Sequence, residues 1–349
     1  MINFFRKSRL TAIGIDLGAR SLKLAQARVS LDDVQLVASA AVERSSLTDW
    51  SAADAARLRE LIARRGFRGN RVVLNAPAAA LRIESLELPP GGAASPAVRK
   101  VAGVELGRIA RFKPASFQHD LWDLPALARG GTASHVMAVA LPHAAADPLV
   151  DRLLDAGLDV LSLFPMPLAL NALAARALAS ADDTVHTLID IGWTATRFVI
   201  GHGPDVLYHR TLDDVGVATL RETLLAAAGD DLPAELADHV LQEVGLALDN
   251  SGAAARMRRP LQQAAESIAH ELKLTHAYIG HRYQHLSLGQ LFLTGGGAAI
   301  PGLVDAVGEL SGQSAIALSP PAFDPAATAA WPGLCGALAG ALYVEEAWA

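Results

Sequence analysis

The chain has 349 residues, 51% of them hydrophobic, and a formal net charge of -6 with basic and acidic residues interspersed. That length exceeds one average core and implies two or more domains or subdomains, and the apolar fraction excludes a disordered chain. No basic face stands out to support a nucleic-acid scaffold, and a lone Cys335 excludes a disulfide framework and a cysteine-rich metal site.

The N-terminus places Phe4 and Phe5 ahead of Arg6, Lys7 and Arg9, the reverse of a signal peptide and too short for one. It reads as a solvated terminus rather than a contact with an anionic membrane surface. Residues 11–29 alternate, with Ile13, Ile15 and Leu17 before a glycine-containing turn at 18–21 and Leu22, Leu24 and Ala27 after it, which predicts a hairpin. A third strand follows over 34–42. Residues 52–65 have helical periodicity with Ala56, Leu58, Leu61 and Ile62 inward, and Gly66 ends the helix. Short strands are expected at 71–75 and 81–88.

Pro89, Pro90, Gly91 and Gly92 then break the pattern. A helix over 97–109, strands over 117–124 and 134–141, and a helix over 147–156 stopped by Gly157 read as a small α/β unit inserted in the first domain. The most apolar stretch, 160–179, contains Pro165, Pro167, Asn171 and Arg176 and is not a membrane span. A helix over 168–179 is expected instead, and the protein is expected to be cytoplasmic. A second strand-turn-strand covers 187–201, followed by helices over 220–228, 235–247 and 259–283. An apolar strand at 291–293 runs into Gly295, Gly296 and Gly297, and a helix opens at Pro301. The tail over 333–344 is a helix of small residues suited to tight packing.

The internal repeat carries the chemistry. Ile13-Gly14-Ile15-Asp16-Leu17-Gly18 is echoed by Thr187-Leu188-Ile189-Asp190-Ile191-Gly192. Each is an apolar strand ending in Asp-x-Gly, a polar turn and a second strand. The first turn offers Arg20, Ser21 and Lys23; the second offers Thr194 and Thr196. Gly18 and Gly192 let the backbone approach a ligand, and N–H groups and hydroxyls then hold phosphate oxygens. Asp16 and Asp190 would repel bare phosphate, so a Mg²⁺ with its waters is expected between. Gly295, Gly296 and Gly297 leave room for a base and ribose against the backbone. One Asp-x-Gly turn occurs by chance in many hairpins; two with a later glycine triplet are a far more specific signal.

These three elements resemble the phosphate 1, phosphate 2 and adenosine motifs of the actin, sugar kinase and heat-shock chaperone superfamily. Within it the chain resembles the PilM-type actin-like family of type IV pilus assembly, including the MshI-like proteins of MSHA pili. The likeness covers nearly the whole chain. It is carried by the opening Asn-Phe-Phe, by Ile-Gly-Ile-Asp-Leu-Gly-Ala-Arg-Ser-Leu-Lys at 13–23, by Ala-Arg-Phe-Lys-Pro at 110–114, by Ala-Gly-Leu-Asp-Val at 156–160, and by Leu-Thr-Gly-Gly-Gly-Ala at 293–298.

The resemblance implies an α/β, actin-like (ribonuclease H-like) two-domain fold with an inserted 1C subdomain. The expected division is subdomain 1A at 1–83, a 1C-like insertion at 84–163, a return to 1A at 164–183, subdomain 2A at 184–225, 2B at 226–284, 2A again at 285–330, and a C-terminal helix of 1A at 331–349. It implies ATP and Mg²⁺ in an interdomain cleft, with Asp16 and Asp190 reaching the metal through water. It also implies a groove for the N-terminal cytoplasmic peptide of a PilN-like inner-membrane protein, membrane attachment only through that partner, and leaves self-association open. In the superfamily the long helix lies near the adenosine, so Glu271 or Lys273 is implied to contact the ribose.

Two departures qualify this. Trp193 stands in the second turn where a small residue is usual, so it either crowds the nucleotide or stacks on something. Residues 165–170 offer no Gln, Glu or Asp to orient an attacking water, so at most a slow ATPase is expected. A small-molecule kinase of the same fold would need a catalytic carboxylate facing its acceptor. A degenerate, non-hydrolysing binding module of a secretion or division system is the third reading. An FtsA-like division role would want a basic amphipathic C-terminal helix, which 345–349 do not provide. His281 and His285 share a helical face but look to solvent, with no Asp or Cys to complete a metal set. There is no P-loop and no Ser-His-Asp set, and His119 beside Asp120 reads as a strand pair.

Overall fold

The computed structural model describes residues 8–30, 33–44, 50–125, 133–178, 183–213, 215–228, 233–319 and 331–347. Phe4, Phe5, Arg6 and Lys7 lie outside the described residues, as do Trp348 and Ala349, so the readings placed on the two termini are not described there. The chain divides into two units: Met1–Ala177 with Pro320–Pro325 and Gly336–Ala349, and Leu178–Ser319 with Ala326–Cys335.

The first unit is built on a six-stranded sheet. Strands β1 (Arg9–Leu10), β2 (Ile13–Leu17), β3 (Ser21–Val29), β4 (Val34–Glu43), β5 (Arg71–Asn75) and β9 (Asp159–Phe164) run in the order β1-β3-β2-β5-β9, with β4 on the outer side of β3. Strands β2, β5 and β9 are parallel, and the hairpin partners are antiparallel. Helix α1 (Ala52–Arg64) opens with a capping box in which Ser51 and Asp54 satisfy each other's backbone N–H groups. Leu58 and Ile62 of α1 and Leu149 and Leu153 of α3 (His143–Asp155) close the core over Ile13, Ile15, Val72 and Leu74. Ala55, not Ala56, is the buried alanine of α1.

Against β2 lies α9 (Trp331–Ala347), whose later part belongs to this unit. A side chain at Gly14 would be driven into the Ala337 carbonyl oxygen, and one at Gly340 into the Phe164 ring. The small residues let two backbones meet.

Strands β6 (Arg82–Leu88), β7 (Phe117–Asp123) and β8 (Ser134–Pro142) form a separate antiparallel sheet, order β6-β8-β7. Helix α2 (Pro96–Ala110) covers it, with Val98, Ala102 and Leu106 on Leu86, Leu88, Leu121, Val136 and Ala138. Helix α3 and strand β9, which fall within the expected insertion, pack with the large sheet instead.

The second unit holds a five-stranded sheet, order β12-β11-β10-β13-β14, from β10 (Thr184–Ile191), β11 (Ala195–His202), β12 (Asp205–Asp213), β13 (Ser287–Thr294) and β14 (Ala315–Ala317). Helices α5 (Val217–Ala228), α6 (Ala234–His239), α7 (Gly252–Arg282) and α8 (Leu303–Ser311) supply the other elements. Leu261, Ala265, Ile268 and Leu272 of α7 pack on Ile189, Phe198, Leu291 and Leu293. The expected helix over 235–247 is broken: α6 passes into a π turn at Val240–Val244 and a 3₁₀ turn at Gly245–Ala247. Gly245 has φ 52°, and a side chain there would collide with the Pro301 backbone, so the chain must turn.

Candidate functional site

In the first unit the β2–β3 register places Asp16 directly opposite Lys23. Lys23 Nζ lies 3.3 Å from Asp16 Oδ2, with both side chains mostly buried. The turn is tied down from its neighbours. Leu17 N–H donates to Asn75 Oδ1 at 2.7 Å, Arg44 Nη1 donates to the Gly18 and Ala19 carbonyls at 3.4 and 3.5 Å, and Arg20 pairs with Glu43 at 3.2 Å. Ser21 is half-buried beside the turn.

In the second unit the β10–β11 register places Asp190 directly opposite Arg197. Arg197 Nη1 lies 3.1 Å from Asp190 Oδ2, with the same degree of burial as in the first pair. This arginine was missed in the sequence. The signal was present: both copies read Asp-x-Gly, four residues, then a basic residue.

The second turn is held by backbone. Gly192 N–H donates to Ala195 O at 2.9 Å, Val217 N–H to Gly192 O at 3.0 Å, and Ala218 N–H to Trp193 O at 2.8 Å. The first turn of α5 is therefore docked on the hairpin. Trp193 is partly buried against the core of its own unit, which gives its ring a structural role. Thr194 is exposed at the tip, but Thr196 is fully buried and donates its hydroxyl to Val215 O at 2.5 Å. Its hydroxyl is thus committed to the fold.

Parallel pairing of β10 with β13 sets Asp190 opposite Thr294, so the glycine run begins beside the Asp190 turn. The three glycines do different work. Gly295 has φ +81°, and a Cβ there would stand 2.5 Å from Asp190 Oδ1. Gly297 sits against the Ile191 side chain. Gly296 alone is exposed, with nothing within 4 Å of a would-be Cβ, so room for a ligand is at Gly296.

Glu271 lies elsewhere. It pairs with Arg210 of β12 at 3.0 Å. Strands β11 and β10 intervene between β12 and β13, a separation of about 14 Å by ordinary strand spacing. Lys273 is exposed on the same helix. Glu271 is thus committed to Arg210, and among the described residues no contact joins either residue to the glycine run.

Among the described residues no group of three or more His, Cys, Asp or Glu could hold a metal ion. Each turn offers one carboxylate that already has a cation beside it. Such donors fit a hydrated ion arriving with phosphate rather than a protein-built cage. His285 falls after the end of α7, off the face of His281. His119 Nε2 lies 3.2 Å from Arg99 O, and Asp120 pairs with Arg99. His276 is placed between Thr187 Oγ1 at 2.8 Å and Gln313 Nε2 at 3.4 Å, and burial lowers its pKa to about 4. No described helix is long and apolar enough to cross a membrane.

No family model matches the chain, and no curated protein matches it. Solved structures do, and they define its class: an α/β protein of the actin-like fold. It is similar to MreB 5 of Spiroplasma citri bound to AMPPNP, with a TM-score of 0.52 and 12% identity over 98% of this chain and 97% of that one. It is similar to the ethanolamine utilization protein EutJ from Carboxydothermus hydrogenoformans, with a TM-score of 0.55 and 15% identity over 96% and 90%. More similar than either is the PilM–PilN type IV pilus biogenesis complex, with a TM-score of 0.76 and 22% identity over 95% of this chain and 98% of that one. The chain shares its fold with that structure over 95% of its length.

Proposed function

We propose that this protein binds ATP through its two Asp-x-Gly hairpins and serves as a PilM-type assembly protein of a type IV or MSHA pilus. The observation that supports nucleotide binding most is the duplicated hairpin, with a buried aspartate and a cross-strand cation at the same register in both copies. Arg20, Ser21 and Lys23 of the first turn and Thr194 of the second present donors for phosphate oxygens, with Gly18 and Gly192 keeping the turns low. Gly296 leaves space for the nucleoside, while Gly295 and Gly297 let its loop sit against β10. Glu271, Lys273 and Thr196 stand outside this set. A Mg²⁺ ion, when bound, would supply positive charge beside the phosphates, and Asp16 and Asp190 are the carboxylates able to hold such an ion through water.

The entry into α4 (Met166–Arg176) carries no acid or amide in residues 165–170, and Asn171 is fully buried. Nothing there orients a water for in-line attack, so turnover is slow or nil. The assembly role rests on the full-length likeness to a PilM that is solved with PilN. By that likeness the partner is the N-terminal cytoplasmic peptide of a PilN-like inner-membrane protein, and the three-stranded unit covered by α2 corresponds to the 1C subdomain.

Calorimetry and thermal shift with Mg-ATP, on protein shown to be nucleotide-free, test the first part: no heat and no shift would overturn it. Fluorescence anisotropy with the N-terminal peptide of a single-span protein encoded next to this one tests the second, and no binding at high micromolar protein counts against it.

A further inference from the structure

We propose that Arg197 is a built-in counter-cation of the Asp190 turn and a direct ligand for the outer phosphates of the nucleotide, so that this hairpin takes a polyphosphate without needing a divalent ion at Asp190. The inference rests on the nucleotide-binding reading and deepens it.

Four observations within the second unit carry it. The Arg197 Nη1–Asp190 Oδ2 contact at 3.1 Å neutralises the carboxylate, which removes the repulsion that would otherwise require a metal. A guanidinium has five N–H donors, and this contact uses one, leaving the rest of the fork for oxyanions. The group lies across the turn itself: Nη1 stands 3.5 Å from where a Cβ of Gly192 would be. The backbone alternative is closed at that glycine, because Gly192 N–H is already given to Ala195 O.

The surroundings leave Arg197 to this role. His209, nearby, is held neutral with its pKa lowered to about 4, chiefly by burial and then by Arg197 itself, so it adds no rival charge. Strand β11, which carries Arg197, is two strands from β13, which leads into Gly296; that is about 10 Å by ordinary spacing, the reach from a nucleoside to its outer phosphates. The first hairpin repeats the device, with Lys23 Nζ 3.8 Å from the would-be Cβ of Gly18.

The test is calorimetry of the full chain, shown nucleotide-free, with ATP and with AMP, each in Mg²⁺ and in EDTA. Wild type is expected to bind ATP in EDTA within about tenfold of its affinity in Mg²⁺, and Arg197→Gln to lose about tenfold or more for ATP in EDTA, the effect of one charge-assisted contact. AMP binding should be unmoved by Arg197→Gln, and Arg197→Lys should recover most of the loss. Equal ATP binding by Arg197→Gln and wild type in EDTA overturns the role of Arg197 and leaves the nucleotide reading standing. So does a wild type that binds ATP only with Mg²⁺, a comparison that needs no variant to fold. Absence of ATP binding by wild type under both conditions overturns both.

Discussion

The two hairpins share one charge pattern and differ in how each turn is held. In the first, side chains from neighbouring segments do most of the gripping, with Asn75 on Leu17 N–H, Arg44 on the Gly18 and Ala19 carbonyls and Glu43 on Arg20, beside one backbone bond from Arg44 N–H to Arg20 O at 2.9 Å. In the second, the backbone of α5 is the clamp, through Val217 and Ala218. A turn held by side chains can be loosened one contact at a time. A turn docked on a helix start moves with that helix, and its carbonyls are spent. Its Gly192 N–H, given to Ala195 O, is not open to a ligand either, so Arg197 is a side-chain donor that this hairpin can offer.

The largest effect should come from attacking the helix clamp. A Cβ at Gly216 would stand 2.5 Å from Trp193 O and 2.7 Å from the Thr194 carbonyl carbon. Gly216→Ala must push α5 off the turn and lose its two hydrogen bonds, costing roughly 3 kcal/mol in chemical denaturation. Arg44→Ala, the counterpart on the first turn, removes only long, partly solvated bonds and should cost less than about 1 kcal/mol. Equal costs would erase the distinction between the two clamps.

Next comes acid. The second unit holds His209 and His276 neutral, each with a pKa lowered to about 4. Unfolded histidines take up protons as pH falls through about 6.5, whereas these take them up only near 4, so the unfolded state gains proton binding first and stability falls across that window. Both rings are only partly buried; His209 counts for more, because its Nε2 is buried without a hydrogen-bond partner while both ring nitrogens of His276 have one. The loss should be on the order of 2–3 kcal/mol between pH 7 and 4, and His209→Gln should flatten that limb of the stability curve. A limb of unchanged slope in His209→Gln would contradict the assignment.

Third is Thr196→Val. The variant keeps the volume but leaves the Val215 carbonyl without its partner, costing about 1–2 kcal/mol of stability. Nucleotide affinity should stay within about twofold, because the hydroxyl faces Val215 rather than a ligand. A tenfold affinity loss would return Thr196 to the binding set.

Much of this was legible in the sequence because it was periodic. The alternation around Asp16 and Asp190 gave both hairpins, and residues 71–75 were read to the residue. Two helix starts were read late. The starts expected at 147 and 259 each fall one residue before a proline, whereas Pro148 and Pro260 sit inside longer helices that begin at His143 and Gly252. Packing outweighs the single hydrogen bond each proline removes. Strand β9 was hidden because its run merges with the apolar helix after it, and β12 because Tyr208, His209 and Arg210 interrupt its alternation. At the site, residue types were readable and directions were not. Thr196 looked like a phosphate donor until its carbonyl partner was visible, and Arg197 drew no notice because a cross-strand partner appears only once the register is known.

The smallest effect is also the sharpest comparison of the two halves. Double-mutant cycles on Asp16/Lys23 and Asp190/Arg197 measure how strongly each carboxylate is tied to its own cation. Both pairs are similarly buried, at 3.3 and 3.1 Å, so the difference lies in the cation. An ammonium is a compact, strongly hydrated charge, whereas a guanidinium is weakly hydrated and planar. Coupling should be about 0.5–1 kcal/mol for each pair, slightly larger for Asp190/Arg197. Both values should shrink in 1 M salt, where screening is strongest. Saturating nucleotide should weaken the Asp190/Arg197 coupling most, because a phosphate that recruits the guanidinium competes directly with the carboxylate. A coupling that nucleotide leaves untouched would mean that Arg197 serves Asp190 alone.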